Sequence, residues 1–138
     1  MHGRILLVDD NVSGSTARKT VLEELGHKIH VTSSGADALE QFAEHKFDLV
    51  VTDYKMPRMD GLELIGRLRK LQPEILIVLV SGFVDALGLS EATTGADAVI
   101  QKSANEVTHL VRSVNRLLRR KKPAGAEGRA LKAKRQAG

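Results

Sequence analysis

Five side chains in this chain carry the chemistry that phosphoryl transfer to a carboxylate needs: Asp9, Asp10, Asp53, Ser81 and Lys102. Three carboxylates brought together repel one another and raise each other's pKa unless a cation sits between them. All-oxygen ligation of that kind suits Mg²⁺, with Mn²⁺ as the alternative. With a hydroxyl and an ammonium aimed at the same spot, metal and lysine neutralise the equatorial oxygens while Asp53 attacks phosphorus in line. Each residue alone has a plainer explanation. Asp9-Asp10 would satisfy a helix N-terminus, Asp53 would form a turn, Ser81 would cap a helix, and Lys102 would be a solvated lysine. Their positions in the fold decide between the two sets of roles.

Those positions follow from an alternation of apolar runs and helical patterns, the signature of parallel strands joined by crossover helices. Ile5-Leu6-Leu7-Val8 is apolar throughout, as a strand covered on both faces must be, and Asp9-Asp10 follows it. Asn11 or Ser13 caps a helix with Ala17, Val21, Leu22 and Leu25 on one face and Gly26 as its stop. Lys28–Thr32 alternates like an edge strand, and the next helix turns Leu39, Phe42 and Ala43 inward. The run Phe47-Asp48-Leu49-Val50-Val51-Thr52 delivers Asp53 to a strand's carboxyl end, where the turn-rich loop Tyr54–Asp60 begins. A helix from Gly61 buries Leu64, Ile65, Leu68 and Leu71 until Gln72-Pro73 breaks it. Ile75–Val80 is the most central strand by composition and ends at Ser81. The segment Phe83–Thr94, with Gly88 in its middle, is the poorest helix. Ala98–Gln101 ends at Lys102, and the last helix carries the stripe Val107, Leu110, Val111, Val114, Leu117 and Leu118.

Five strands and five helices in alternation assemble through right-handed crossovers into an α/β doubly wound parallel sheet. Ligands bind such sheets beyond the carboxyl ends of the strands, which is where the five candidate residues fall.

Composition narrows the remaining choices. The chain has 138 residues, 42% of them hydrophobic, enough for one domain. No apolar run is long enough for a membrane span or a signal peptide, so a soluble, cytoplasmic protein is expected. The chain has no cysteine, which excludes disulfides and thiolate metal sites, and its five histidines lack ligand spacing and read as surface residues. Net charge is +4, but residues 1–118 hold 13 Lys/Arg against 16 Asp/Glu and residues 119–138 hold 8 against 1. The domain is therefore expected over 1–118 and a basic, disordered C-terminal tail over 119–138. The tail is read first as a solvated terminus or linker, then as a contact for nucleic acid or an anionic membrane, then as a docking segment for a partner. An aromatic content of 3% with no Trp argues against a stacking platform for single-stranded nucleic acid.

Four motifs together carry a family resemblance: Leu7-Val8-Asp9-Asp10, Asp53-Tyr54-Lys55-Met56-Pro57-Arg58-Met59-Asp60-Gly61, Val80-Ser81-Gly82 and Ile100-Gln101-Lys102. Over residues 4–118 the chain resembles the receiver domains of two-component response regulators and is similar in layout to single-domain chemotaxis regulators. The resemblance implies the flavodoxin-like strand order 2-1-3-4-5. It implies that Asp53 accepts a phosphoryl group from the phosphohistidine of a histidine kinase or phosphotransfer protein. Asp10 and Asp53 would bind Mg²⁺ directly, Asp9 through water, and the Lys55 backbone carbonyl would add a ligand. Ser81 and Lys102 would each bond a phosphoryl oxygen. A downstream protein would dock on the face of the fourth helix, fifth strand and fifth helix, the chain acting as a monomer or a phosphorylation-linked dimer. Beyond its own phosphorylation and dephosphorylation no enzymatic turnover is implied, and no output domain is expected.

Two departures stand out. Ser103 follows Lys102 where receivers usually have a proline, often after a cis bond, and a cis bond before any other residue costs roughly 2.5–4 kcal/mol. Val99 occupies the position three before the lysine, commonly Tyr or Phe in a rotamer switch, so the signal from Ser81 is expected to travel by a loop or helix shift. Two rival readings remain. A haloacid-dehalogenase-type Mg²⁺ phosphatase also places an aspartate after its first strand, but it wants Asp-x-Asp where this chain has Asp9-Asp10-Asn11-Val12, and a cap domain for which there is no room. A degenerate receiver would serve only as a binding scaffold.

Overall fold

Strands that are apolar at every position need cover on both faces, and the computed structural model, which describes residues 2–120, provides it. Strands β1 (Arg4–Val8), β2 (Lys28–Thr32), β3 (Leu49–Asp53), β4 (Leu76–Ser81) and β5 (Ala98–Gln101) form one parallel sheet in the order β2-β1-β3-β4-β5. Helices α1 (Val12–Glu24), α2 (Gly35–Glu44), α3 (Gly61–Leu71), α4 (Val84–Leu87), α5 (Glu91–Thr94) and α6 (Glu106–Arg120) connect and cover it. The expected fold and strand order are therefore observed. The central strand is β3 rather than β4; composition could not rank them, because β3 is as thoroughly buried as β4.

The period-two alternation of side chains divides the core into two layers. Leu6, Val8, Val50, Ile77 and Leu79 pack with Ala38 and Phe42 of α2 and Leu64, Ile65 and Leu68 of α3. Ile5, Leu7, Leu49, Val51, Val78 and Val80 pack with Leu22 of α1 and Leu110, Val114, Leu117 and Leu118 of α6. The register pairs Val8 with Thr52, Asp53 with Val80 and Ser81 with Gln101, so the strand ends are level. Asp9 continues the Ile5, Leu7 series and Asp53 the Leu49, Val51 series. Both carboxylates thus belong to the layer shared by α1 and α6, which decides what they meet.

Local chemistry starts the helices where the sequence indicated. Asn11 caps α1 by accepting the Gly14 N–H, Ser34 caps α2 through the Asp37 N–H, and Asp60 caps α3 through the Glu63 N–H. The expected fourth helix is instead two four-residue helices. Gly88, at φ 64°, ends α4 in the left-handed conformation, and Ser90 and Thr93 form a capping box that starts α5. Several inward assignments shift as well. The inner face of α1 carries Ser15, Arg18 and Leu22, leaving Ala17 and Leu25 exposed. In α2 Ala38 is buried and Ala43 is not, and Leu71 and Val107, at the ends of α3 and α6, are exposed. His27, expected at the surface, is buried, and its Nδ1 accepts the Gly3 N–H at 3.0 Å. That burial pushes its pKa down and keeps the ring neutral. No peptide bond among the described residues is cis, so Lys102-Ser103 is trans. Of the expected tail, Arg119 and Arg120 complete α6, and 121–138 lie outside the described residues.

Candidate functional site

Asp53 reaches the carboxyl edge at the end of the all-buried β3 and is itself 2% exposed. Its backbone is fixed from several directions. Thr52 Oγ1 donates to the Asp53 carbonyl at 3.0 Å, Tyr54 N–H donates to Val80 O at 2.9 Å, and Gly61 N–H donates to Tyr54 O at 2.7 Å. At Gly61 the loop folds back so closely that a Cβ there would strike the Asp53 carbonyl and the Tyr54 Cα. Only glycine lets α3 start so close behind Asp53.

Asp9, also buried, accepts the Asn11 N–H on Oδ1 at 2.8 Å and a hydrogen bond from Arg18 Nη1 on Oδ2 at 2.7 Å. Asp10 is exposed at the mouth of the cleft, as its position one residue further from the sheet requires. Carboxylate oxygens of Asp9, Asp10 and Asp53 all lie within 4.8 Å of one another. Lys102 Nζ stands 2.9 Å from Asp53 Oδ1, and the Lys102 N–H donates to Ser81 O at 2.8 Å, tying the ends of β4 and β5 together. Ser81 is buried. Its hydroxyl does not cap α4 but accepts the Phe83 N–H at 2.9 Å, holding the loop that follows. Lys55 is exposed, lines the same cleft, and carries its Nζ 5.6 Å from the centroid of the Phe83 ring. All six expected residues therefore border one site.

The electrostatics are uneven. Burial, with the neighbouring Asp9 adding to it, pushes the Asp53 pKa up to about 7, against the opposing pull of Lys102 and Arg18. Asp53 Oδ1 is buried without an aligned hydrogen bond, although the Lys102 ammonium is within ion-pair distance. A buried carboxylate oxygen in that condition, beside two further carboxylates, fits a hard divalent cation with oxygen ligands.

The sequence reading missed Arg18, Glu106 and Gln101. Arg18, 3% exposed, bonds Asp9 through Nη1, approaches Asp53 Oδ1 at 3.7 Å through the same nitrogen, and bonds Glu106 Oε2 at 2.7 Å through Nε. Burial alone would push its pKa down, but the bond to Glu106 and the carboxylates around it hold it above its ordinary value. Its signal was spacing: Arg18 lies four residues before the buried Leu22 and three after the buried Ser15, on the sheet-facing side of α1. Gln101 accepts the Val84 N–H on Oε1 at 3.1 Å and donates from Nε2 to Gly82 O at 2.9 Å.

Fold and site together define a flavodoxin-like, doubly wound domain with an acidic cluster, a serine and a lysine at its carboxyl edge. The sequence pattern of the response regulator receiver domain matches residues 5–115, and the chain belongs to that family. It is 30% identical over 115 residues to the response regulator receiver protein CpdR of Brucella abortus, covering 83% of this chain and 96% of that protein. It is 36% identical over 93 residues to the transcriptional regulatory protein ZraR of Escherichia coli, of which it spans only 21%. Among solved structures it is similar to the response regulator TrrA of Thermotoga maritima in complex with Mg²⁺-BeF, with TM-score 0.75 and 32% identity over 83% of this chain and 97% of that one. A complex of the histidine kinase ThkA with TrrA also matches, with TM-score 0.74 and 33% identity over 83% of this chain and 97% of the matched chain. No helix among the described residues is long and apolar enough to cross a membrane.

Proposed function

We propose that this receiver domain is a phosphorylatable switch in which Asp53 takes a phosphoryl group from the phosphohistidine of a histidine kinase or phosphotransfer protein. The observation that carries this reading is the environment of Asp53 Oδ1: buried, without an aligned hydrogen bond, 2.9 Å from Lys102 Nζ and beside Asp9 and Asp10. The Asp53 carboxylate attacks phosphorus, an oxygen–phosphorus bond forms, and the phosphorus–nitrogen bond breaks. The imidazole leaves with that electron pair and takes up a proton. Hydrolysis reverses the state when water attacks phosphorus and the carboxylate departs. Asp10, Asp53 and the Lys55 backbone carbonyl would hold Mg²⁺, with Asp9 supporting through water. The ion supplies charge neutralisation at the equatorial oxygens. Lys102 pairs with one phosphoryl oxygen, and Ser81 bonds another by turning its hydroxyl from the Phe83 N–H.

The TrrA complexes with Mg²⁺-BeF and with a histidine kinase support the metal and the donor class. The chain turns over no external substrate in this reading and signals through a protein docked on α4, β5 and α6, the domain extending through Arg120 at the end of α6. Incubation with acetyl phosphate and Mg²⁺, followed by intact-mass measurement, tests it. The expected result is one added phosphoryl group that is absent in Asp53→Ala. No adduct in the wild type supports the scaffold reading, and steady phosphate release that survives in Asp53→Ala supports the phosphatase.

A further inference from the structure

Arg18 holds the least expected place in the molecule. A guanidinium on α1 is buried inside the acidic cluster, donating to Asp9 at 2.7 Å and standing 3.7 Å from Asp53, while Glu106 in the first turn of α6 grips its Nε at 2.7 Å. Four carboxyl groups, those of Asp9, Asp10, Asp53 and Glu106, thus share two nearby cations, Arg18 and Lys102. The formal deficit of two charges matches one divalent ion. A permanently charged arginine already engaging two of the three candidate ligands also opposes that ion electrostatically.

We propose that Arg18 is an internal counter-cation that competes with the divalent metal for Asp9 and Asp53, and that Glu106 couples this competition to the first turn of α6. This inference rests on the metal site of the proposed function and goes beyond it. Without metal, Arg18 neutralises the pocket and keeps the carboxylates together. When a divalent ion draws on Asp53, the guanidinium is repelled and falls back on Glu106, the remaining carboxylate it holds directly besides Asp9. The bond to Glu106 then carries the change to the first turn of α6. Arg18 therefore sets how much Mg²⁺ is needed to arm the site and ties that threshold to the position of α6.

Calorimetric titration of Mg²⁺ into the unphosphorylated full chain tests this without any phosphoryl transfer. Arg18→Met keeps the buried stem and removes the charge, so it should bind Mg²⁺ about tenfold more tightly than wild type. Arg18→Lys restores a charge and should return most of that gain. Glu106→Gln leaves the guanidinium uncompensated against Asp9 and Asp53 and should weaken binding by about threefold or more. Combined with Arg18→Met, the same change should add nothing, because the two act through one contact. The amides of Glu106 and Val107 should shift on Mg²⁺ addition in the wild type and stay put in Arg18→Met. Unchanged or weaker binding in Arg18→Met overturns the competition, as does equal tightening in Arg18→Lys. Should Arg18→Met fail to fold, unaltered binding in Glu106→Gln overturns it equally. If the wild type binds no Mg²⁺ at all, the metal site of the proposed function fails and this inference with it.

Discussion

Lys102 Nζ lies 2.9 Å from Asp53 Oδ1, yet the two partners live in different solvents: the aspartate side chain is 2% exposed and the lysine side chain 41%. An ammonium that remains hydrated offsets only part of what burial costs the carboxylate, which explains why the Asp53 pKa stays raised, at about 7. A carboxyl whose folded pKa exceeds its unfolded value stabilises the fold fully below the unfolded pKa, and that contribution is lost as pH rises through the folded pKa. In metal-free buffer, the stability of the wild type relative to Asp53→Asn should therefore fall between pH 5 and pH 8, by roughly 2–3 kcal/mol. Urea denaturation of both proteins at the two pH values measures it. Lys102→Met removes an opposing charge and should move the fall to higher pH. A wild-type to Asp53→Asn difference independent of pH would contradict the account.

Gly61 and Gly66 both sit in α3, but only the first faces backbone. A Cβ at Gly61 meets the Asp53 carbonyl, whereas one at Gly66 meets nothing within 4 Å. Gly61→Ala should cost about 1–3 kcal/mol through forced displacement of backbone and should slow phosphoryl acceptance as Asp53 moves. Gly66→Ala should gain about 0.5–1 kcal/mol from helix propensity and leave acceptance unchanged. Thermal melts and adduct-formation rates on the pair separate helix propensity from the close approach behind the site.

The parallel doubly wound sheet and the grouping of Asp9, Asp10, Asp53, Ser81 and Lys102 could be expected from sequence because they rest on long-range regularities, apolar runs and their alternation with helices, while the strand order came only with the family resemblance. What escaped rested on rotation about a helix axis. Choosing Ala17 over Arg18 for the inner face of α1 is an error of one residue, about 100° around the helix. Apolar matching favours that choice, since a buried arginine looks wrong until its carboxylate partners are placed. Glu106 and Gln101 escaped for a related reason: both act across the sheet edge, on partners 88 and 17 residues away in sequence. His27 escaped because the partner its Nδ1 bonds, the Gly3 N–H, is a backbone group that no side-chain pattern announces.

Lys55 and Phe83 come from the loops after β3 and β4 and meet over the cleft that holds Asp53 and Ser81. A cation over an exposed ring is worth about 0.5–1 kcal/mol, enough to keep the pair closed for part of the time and limit water's approach to an acyl phosphate. Lys55→Ala and Phe83→Ala should each shorten the phosphoryl lifetime by about two- to fivefold with little change in thermal stability. Autodephosphorylation followed by intact mass reads this directly, and rates equal to wild type would remove the pair from any protective role.

Gln101 is the second fastener of the loop that Ser81 holds. Its amide bonds Gly82 O and the Val84 N–H on either side of Phe83, whose own N–H rests on the Ser81 hydroxyl. Helix α4, four residues long and without a side-chain cap, depends on these bonds for its position. If, as proposed, a phosphoryl oxygen takes the Ser81 hydroxyl, the Gln101 amide is left holding Gly82 O and the Val84 N–H. Gln101→Ala should therefore raise amide exchange at Phe83 and Val84 by about tenfold. Global stability should fall by only about 1–2 kcal/mol, the usual worth of two partly exposed hydrogen bonds. Gln101→Glu keeps the acceptor for the Val84 N–H and loses the donor to Gly82 O, so Val84 protection should return while the loop stays loosened at Gly82. Exchange at Val84 unchanged in Gln101→Ala would mean that α4 is held by its packing alone, and the route from Ser81 to α4 would then run through Phe83.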